Sequence, residues 1–244
     1  MIRKFIVAAG LVALVAPAPV LAQSLALDLG GDGGGFASRI FQLLTLITIL
    51  SLAPSILVVV TSFTRIVVVL SILRSALGLQ QTPPNAVLIS LALFLTAFIM
   101  APTLEVSYRE GIAPLIAEQI TEEEAFERSL APMHGFMMSQ VRDKDLTLFL
   151  GIAAAPPPET AADMPIQVLV PAFMISELKR AFEIGFLVFI PFIIIDMVIA
   201  SVLMSMGMMM LPPVMISLPF KLIFFVLVDG WYLLAGSLVQ SFST

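Results

Sequence analysis

Four ionisable side chains interrupt otherwise apolar stretches of this chain: Arg65, Asp196, Lys221 and Asp229. A charge placed at the centre of a membrane helix costs about 2.5–3.5 kcal/mol on insertion scales, so such groups face other protein or water and pair with one another. Four of them imply partners, some within the chain and the rest from neighbouring subunits. Glu177, Lys179, Arg180 and Glu183 add a second set, spaced so that Glu177 can meet Arg180 and Lys179 can meet Glu183 on one helix. Local pairs on a surface helix account for that set by themselves. The more demanding expectation places Glu177, Lys179 or Asp229 beside Lys221 of the same or a neighbouring subunit.

The other chemically distinctive group is sulfur. Met204, Met206, Met208, Met209 and Met210 are five of the 14 methionines and fall within eleven residues that also hold Gly207, Pro212 and Pro213. Methionine is unbranched and polarizable, so a cluster of it makes a soft apolar surface that closes on itself and re-forms around other shapes. Those are properties of a seal, although core filler and lipid-facing surface are the commoner uses of the residue. Gly207 frees the backbone to turn, and the Pro212 and Pro213 pair cannot continue a preceding helix.

Catalytic chemistry has little to work with. There is no cysteine and a single histidine, His134, so disulfides, thiolates, zinc clusters and His-centred triads are excluded. His134 is expected at the surface. No phosphate-binding Gly-Lys-Ser/Thr motif is present either. No catalytic residue, metal site or cofactor is expected, and the chain is not expected to be an enzyme.

The elements that must position these residues are membrane helices. With 59% hydrophobic and 12% charged residues and a mean hydropathy of +1.08, the chain lies outside the range of soluble domains. The fold class expected is all-α, an integral membrane protein of Pro-punctuated helical hairpins. Residues 1–22 are laid out as a cleavable signal peptide, with Arg3 and Lys4, a short apolar run and small residues up to Ala22; a first span is the alternative, but the run is too short. Residues 23–39 form a glycine-rich tether.

Residues 40–104 are expected as a first helical hairpin, with a kink or break at Pro54. Its tip carries Gly78 as a helix C-cap, then Thr82 as an N-cap followed by Pro83 and Pro84. Arg65 and Arg74 put the tip on the cytoplasmic side by charge bias. Residues 105–165 form an acidic segment expected in the periplasm as a solvated block; residues 105–163 hold 11 acidic and 4 basic side chains, a net −7 against −5 for the whole chain. Thr121 and Glu124 are spaced as a capping box, with Phe126, Leu130, Met133 and Met137 at helical spacing behind it and a kink or restart expected at Pro132. Residues 166–244 are expected as a second hairpin with the methionines at its tip, interrupted at Pro191 before Asp196 and closed by an apolar span over residues 214–239.

Several runs resemble a known family. Residues 54–65 (PSILVVVTSFTR) and 73–85 (LRSALGLQQTPPN) look like one signature of the FliP/SctR family of type III secretion export gates. Residues 175–179 (ISELK), Asp196 with Met197, residues 204–213 (MSMGMMMLPP), 219–221 (PFK) and 229–231 (DGW) look like the second. The ending LVQSF at residues 238–242 is closer to the flagellar branch. The resemblance implies the core subunit of a flagellar protein export gate in the bacterial inner membrane at the flagellar basal body. It implies a homo-oligomer, a pentamer, built with FliQ and FliR near FlhB and FlhA, with exported flagellar proteins as substrates and no nucleic acid. It further implies that the methionine loop is a gasket, that Glu177, Lys179 and Lys221 sit in subunit contacts, and that the assembled helices are lifted largely out of the membrane plane.

Two function classes follow. The favoured one is a passive gated conduit sealed by the methionines. The alternative is a proton-coupled secondary transporter that uses Asp196 at a broken helix, against which stands the lack of an internal repeat of the spans.

Overall fold

The computed structural model describes residues 35–154, 156, 158–208 and 211–242; the signal-peptide reading of residues 1–22, the tether up to residue 34, and Met209 and Met210 lie outside them. The described residues form helices and turns, with no strand among them. The helices in chain order are α1 (Gly35–Val60), α2 (Phe63–Ala76), α3 (Asn85–Ser107), α4 (Ala113–Ile116), α5 (Glu122–Gln140), α6 (Asp143–Ala153), α7 (Ile166–Ser205), α8 (Pro213–Leu227) and α9 (Gly230–Gln240), with a π turn, Tyr108–Ile112, joining α3 to α4.

The chain divides into two units after Leu50. The first contains the opening part of α1, whose Thr45 and Thr48 hydroxyls donate to the carbonyls of Phe41 and Leu44 at 2.8 and 2.7 Å. A threonine thus satisfied within its own helix adds no unpaired polar group to an apolar surface.

In the second unit α7 is the axis. Its 40 residues extend about 60 Å, twice the hydrocarbon thickness of a bilayer. It runs unbroken through Pro171 and Pro191, where an interruption was expected at Pro191. Each proline removes one backbone N–H bond, and breaking the helix in apolar surroundings would free several more. For the same reason α1 continues through Pro54 and stops at Val60, so the break falls at Thr61 and Ser62, and α5 continues through Pro132. Among the described residues two helices are long and apolar enough to cross a membrane, Asn85–Ile116 and Ile166–Ser205; α8 and α9 make a third only as a pair bent by 64°. A single straight span over residues 214–239 is therefore corrected. The bend sits at Asp229, whose backbone is left-handed (φ 51°), beside Gly230, where an added Cβ would lie 2.1 Å from a ring carbon of Phe225.

Two apolar cores line α7. Near its start Val168, Leu169, Ala172 and Phe173 pack with Met137, Val141 and Leu146 of the α5 to α6 region. Further along, Ala181 and Phe192 pack with α2, whose Ile66, Val69, Leu70 and Leu73 recur every three or four residues and so form one helical stripe. Gly185 of α7 lets α2 come close, since a Cβ there would meet Ile72 at 2.3 Å. Leu88 and Ala92 of α3, Phe225 of α8, and Leu234 and Leu238 of α9 close this second core.

Both hairpin tips follow one glycine rule. After α2, Gly78 is left-handed (φ 77°), its N–H reaches Ser75 O at 3.0 Å and that of Leu79 reaches Arg74 O at 3.1 Å. After α7, Gly207 is left-handed (φ 74°), with Gly207 N to Met204 O at 3.1 Å and Met208 N to Leu203 O at 3.0 Å. Each is the paired 5→2 and 6→1 bonding that closes a helix on a left-handed residue. The first tip is held by Arg74, which donates to Asn85 Oδ1 at 2.6 Å and Pro83 O at 3.3 Å. The N-cap of α3 falls two residues later than expected: Pro84 takes it in place of Thr82, and no side-chain cap is made. In the second hairpin Pro213 opens α8 as its first residue, where its missing N–H costs nothing.

The acidic segment is more structured than a solvated block. Thr121 caps α5 by accepting from Glu124 N at 3.3 Å, as its spacing predicts. Phe126, however, points outward, and the buried face of α5 is carried by Ala125, Met137 and Gln140. Asp145 is buried against α7, and His134 is half-buried with Nε2 2.9 Å from Met164 O rather than at the surface. These residues follow the apolar face of their helices, and the segment's net charge does not reveal which individual acids turn inward.

Candidate functional site

The polar residues singled out from the sequence gather at two levels of α7. The first surrounds Arg65. It sits three residues into α2, directly after the Thr61 and Ser62 break, and its side chain is fully buried. Nε donates to Glu177 Oε2 at 2.9 Å and Nη2 donates to Glu177 Oε1. Nη2 also reaches Gln140 Oε1 at 3.0 Å, while Nη1 reaches Ser241 O at 2.9 Å and Ser241 Oγ at 3.0 Å. Those bonds use all five N–H donors of a guanidinium. The ring of Phe242 covers one face, 3.6 Å from Cζ to its centroid, and stacks in turn on Phe136 of α5. A buried guanidinium is tolerated only when its charge is neutralised and its donors are filled, and both conditions hold here.

Glu177 is therefore bound to Arg65. The local pair with Arg180 is not formed: Arg180 donates to Gln140 Oε1 at 3.1 Å instead. One residue earlier, Ser176 faces the acidic segment. Its hydroxyl lies 2.6 Å from Asp145 Oδ2 and accepts from Arg142 N at 3.1 Å, while the Arg142 side chain grips the same carboxylate through two nitrogens. Burial pushes the Asp145 carboxyl up, but the hydrogen bonds from Ser176 and Arg142, with the charges of Arg142 and Lys144, outweigh it and hold the carboxyl below its ordinary value. Lys179 and Glu183 form the expected surface pair at 3.0 Å, both more than half exposed.

The second level lies 19 residues further along α7, about 28 Å away at the helical rise. Lys221 of α8 is buried, at 3% exposure. Its Nζ donates to Asp196 Oδ2 at 2.6 Å and to Ala76 O, at the end of α2, at 3.1 Å. Ser217, one turn before Lys221, donates to Asp196 Oδ1 at 2.5 Å. Within the chain Lys221 is thus paired with Asp196, and none of Glu177, Lys179 or Asp229 stands beside it. Glu177 is spent on Arg65, Lys179 lies exposed with Glu183, and Asp229 is exposed at the α8 to α9 bend. Helical geometry explains the choice: Ser217, Lys221 and Phe225 are spaced by four, share one face of α8, and are its buried residues.

The methionine turn is the third feature. Leu203 is the last buried residue of α7; beyond it Met204, Met206 and Met208 are exposed at 58, 62 and 43%. They project from the Gly207 turn between a 40-residue helix and the Pro212 and Pro213 start of α8.

Gln140, Ser217, Ser241 and Phe242 carry no signal in charge or motif strong enough to single them out as partners of the buried cations. Only the four-residue spacing from Ser217 to Lys221 marks one of them in advance.

Comparison with known proteins gives a consistent answer. The chain is 62% identical over 236 residues to the flagellar biosynthetic protein FliP of Caulobacter vibrioides, covering 97% of this chain and 89% of that relative. It is 58% identical over 205 residues to that of Bacillus subtilis, covering 84% and 93%, and 48% identical over 247 residues to that of Agrobacterium fabrum, over the full length of both. The FliP family profile matches residues 46–238, a stretch that contains both buried ion pairs and the methionine turn, and the chain belongs to the FliP family.

Proposed function

We propose that the chain is the pore-forming subunit of a flagellar protein export gate, a gated conduit for unfolded flagellar proteins in which the methionine turn seals the closed state. The observation that carries this reading is the exposed sulfur-rich tip: Met204, Met206 and Met208 stand clear of both cores at the end of the α7 and α8 hairpin. A tip that packed as filler would be buried. Several such tips brought to one axis exclude water and ions while closed and deform around a passing chain.

In this proposal the gate is a homo-oligomer, a pentamer, assembled with FliQ and FliR and lying near FlhB and FlhA in the inner membrane at the flagellar basal body. Exported flagellar proteins are its cargo, and no chemistry is done on them. Residues 105–165 face the periplasm, and the long α7 projects beyond the bilayer. Lys179 and Asp229, exposed on the single chain, are offered to neighbouring subunits, as are the outer faces around Glu177 and Lys221. The relatives' shared name as flagellar biosynthetic proteins supports the pathway. The transporter reading is not favoured, because both carboxylate oxygens of Asp196 are engaged, by Ser217 and Lys221.

The test is ion leakage across the inner membrane of cells that express the chain with FliQ and FliR, comparing wild type with a deletion of residues 206–210. Assembled complexes that leak support the seal. Assembled complexes that remain tight refute it and move the barrier to another subunit.

A further inference from the structure

Helices α8 and α9 form an arm that packs on the second core through Phe225, Leu234 and Leu238 and is tied to the rest of the chain by polar contacts at two places. Near its start Lys221 is bonded to Asp196 and to Ala76 O, and beyond its end Ser241 and Phe242 are bonded to Arg65. Between the ties lies the bend, with left-handed Asp229 and with Gly230 pressed on Phe225. The two ties differ in depth. Lys221 is buried, whereas Ser241 and Phe242 are only half-buried and form an outer layer over the fully buried Arg65 and Glu177.

The bonding is divided in the same way. Of the five donors on Arg65, two serve Ser241 and three serve Glu177 and Gln140. Withdrawal of Ser241 and Phe242 leaves the charge of Arg65 neutralised and three donors filled. The same withdrawal opens Nη1 to water, which takes over its two donors, so the ion pair is kept without its cover. Apart from this cover, α9 is anchored chiefly by Leu234 and Leu238, while Trp231, Tyr232 and Leu233 face outward.

From this geometry we infer that Ser241 and Phe242 are a releasable strap: seated on Arg65 and Phe136 they fix α9 against the junction of α2, α5 and α7, and unseated they free α9 to swing about the Asp229 bend. The strap rests on contacts within one chain and holds whether or not the methionines form a seal.

The chain has no cysteine of its own, so single thiols report on it cleanly. In the full chain, assembled and in detergent, S241C is expected to react with a maleimide about tenfold faster when F242A is also present, the effect of removing a cation–π contact of moderate strength. S62C, at a fully buried position in the α1 to α2 break, reports that the fold is intact by staying unlabelled in both backgrounds. Equal labelling rates for S241C with and without F242A overturn the strap. Movement is tested by F136C with F242C, at positions whose rings stack with centroids 6.2 Å apart. Crosslinking them through a short cleavable thiol reagent is expected to leave assembly intact, to stop export, and to restore it on cleavage. Crosslinked complexes that export as well as uncrosslinked ones show that the strap never needs to move, which also overturns the inference.

Discussion

Arg65 of α2 and Glu177 of α7, 112 residues apart in sequence, meet in a two-pronged ion pair at 0% exposure for both side chains. Taking two charges out of water is costly, and the pair repays it only because every guanidinium donor is used. Removing one partner leaves the other charge buried and alone, which costs about 3–5 kcal/mol, whereas replacing both with apolar side chains of similar volume is often close to neutral. R65M and E177M are each expected to lose about that much stability in detergent, and the R65M/E177M double variant far less than the sum. Thermal unfolding of the four proteins checks it. Additive losses show that the two side chains act independently, contrary to the structure.

Lys221 and Asp196 make a similar test one level further along α7. The structure predicts that K221D is strongly destabilising and that D196K in the same chain recovers much of the loss, because the exchanged charges still face each other at the 2.6 Å contact. Reversals at Glu177 or Asp229 are expected to give no recovery. Assembly of the complex on native gels is a sufficient readout. Recovery by D229K, with none by D196K, assigns Lys221 to a neighbouring subunit in place of its own α7.

Much of this architecture was legible in the sequence, for reasons that differ by element. Gly78 and Gly207 each end a helix and each precede a proline pair, so both hairpin tips could be placed from backbone chemistry alone. The Thr121 cap of α5 follows from the same local logic. The prolines misled in part: a break at Pro54, a restart at Pro132 and an interruption at Pro191 were among the expectations, yet the helices run through all three, because helix continuity in an apolar setting is governed by every neighbouring N–H and C=O and not by the one bond lost. Charge pairing was legible only in kind. Arg65, Asp196 and Lys221 had to be paired, but the spacing of residues on one helix cannot reveal which other helix comes near. Arg65 found Glu177 at 112 residues' separation and Lys221 found Asp196 at 25. Gln140, Ser217 and Phe242 are ordinary residues whose roles exist only once the helices are packed.

Two glycines separate backbone strain from crowding. Gly207 is left-handed, with nothing within 4 Å of an added Cβ, so G207A bears only the conformational cost of about 1–2 kcal/mol and leaves the hairpin packing untouched. Gly111, in the π turn, has an ordinary backbone, but a Cβ there would lie 1.9 Å from Ser129 Oγ and 2.7 Å from Ala125 O. The second contact is backbone, which a rotamer change cannot relieve. G111A is therefore expected to push α5 away and cost more than G207A, in the range of about 1–3 kcal/mol or above that marks an overpacked site. Protease resistance of α5 separates the two, since only G111A should expose it. Equal resistance in both variants contradicts the close crossing at Gly111.

Asp145 makes the joint between the acidic segment and α7 sensitive to acid. Its carboxyl is held below the ordinary value of 3.8 by Ser176 and Arg142, which together outweigh the opposing effect of burial. A carboxylate whose folded value is depressed binds protons less readily when folded than when unfolded, so its contribution is fully present above the unfolded value and drains away as pH falls through the lower folded one. D145N cannot titrate and lacks the ionic grip of Arg142. The stability gap between wild type and D145N is thus expected to be largest at neutral pH, to begin to narrow once the pH drops below about 4, where the unfolded chain's carboxyl takes up its proton, and to stop narrowing only below the lower folded value. S176A removes one of the bonds that depress the carboxyl's folded value, so its narrowing should begin at the same pH as in wild type but be smaller and be complete at a higher pH. Unfolding of the purified chain across a pH series decides the matter: a gap between wild type and D145N that stays constant into acid shows that the Asp145 joint is packing, and that the charge contributes nothing to holding α6 on α7.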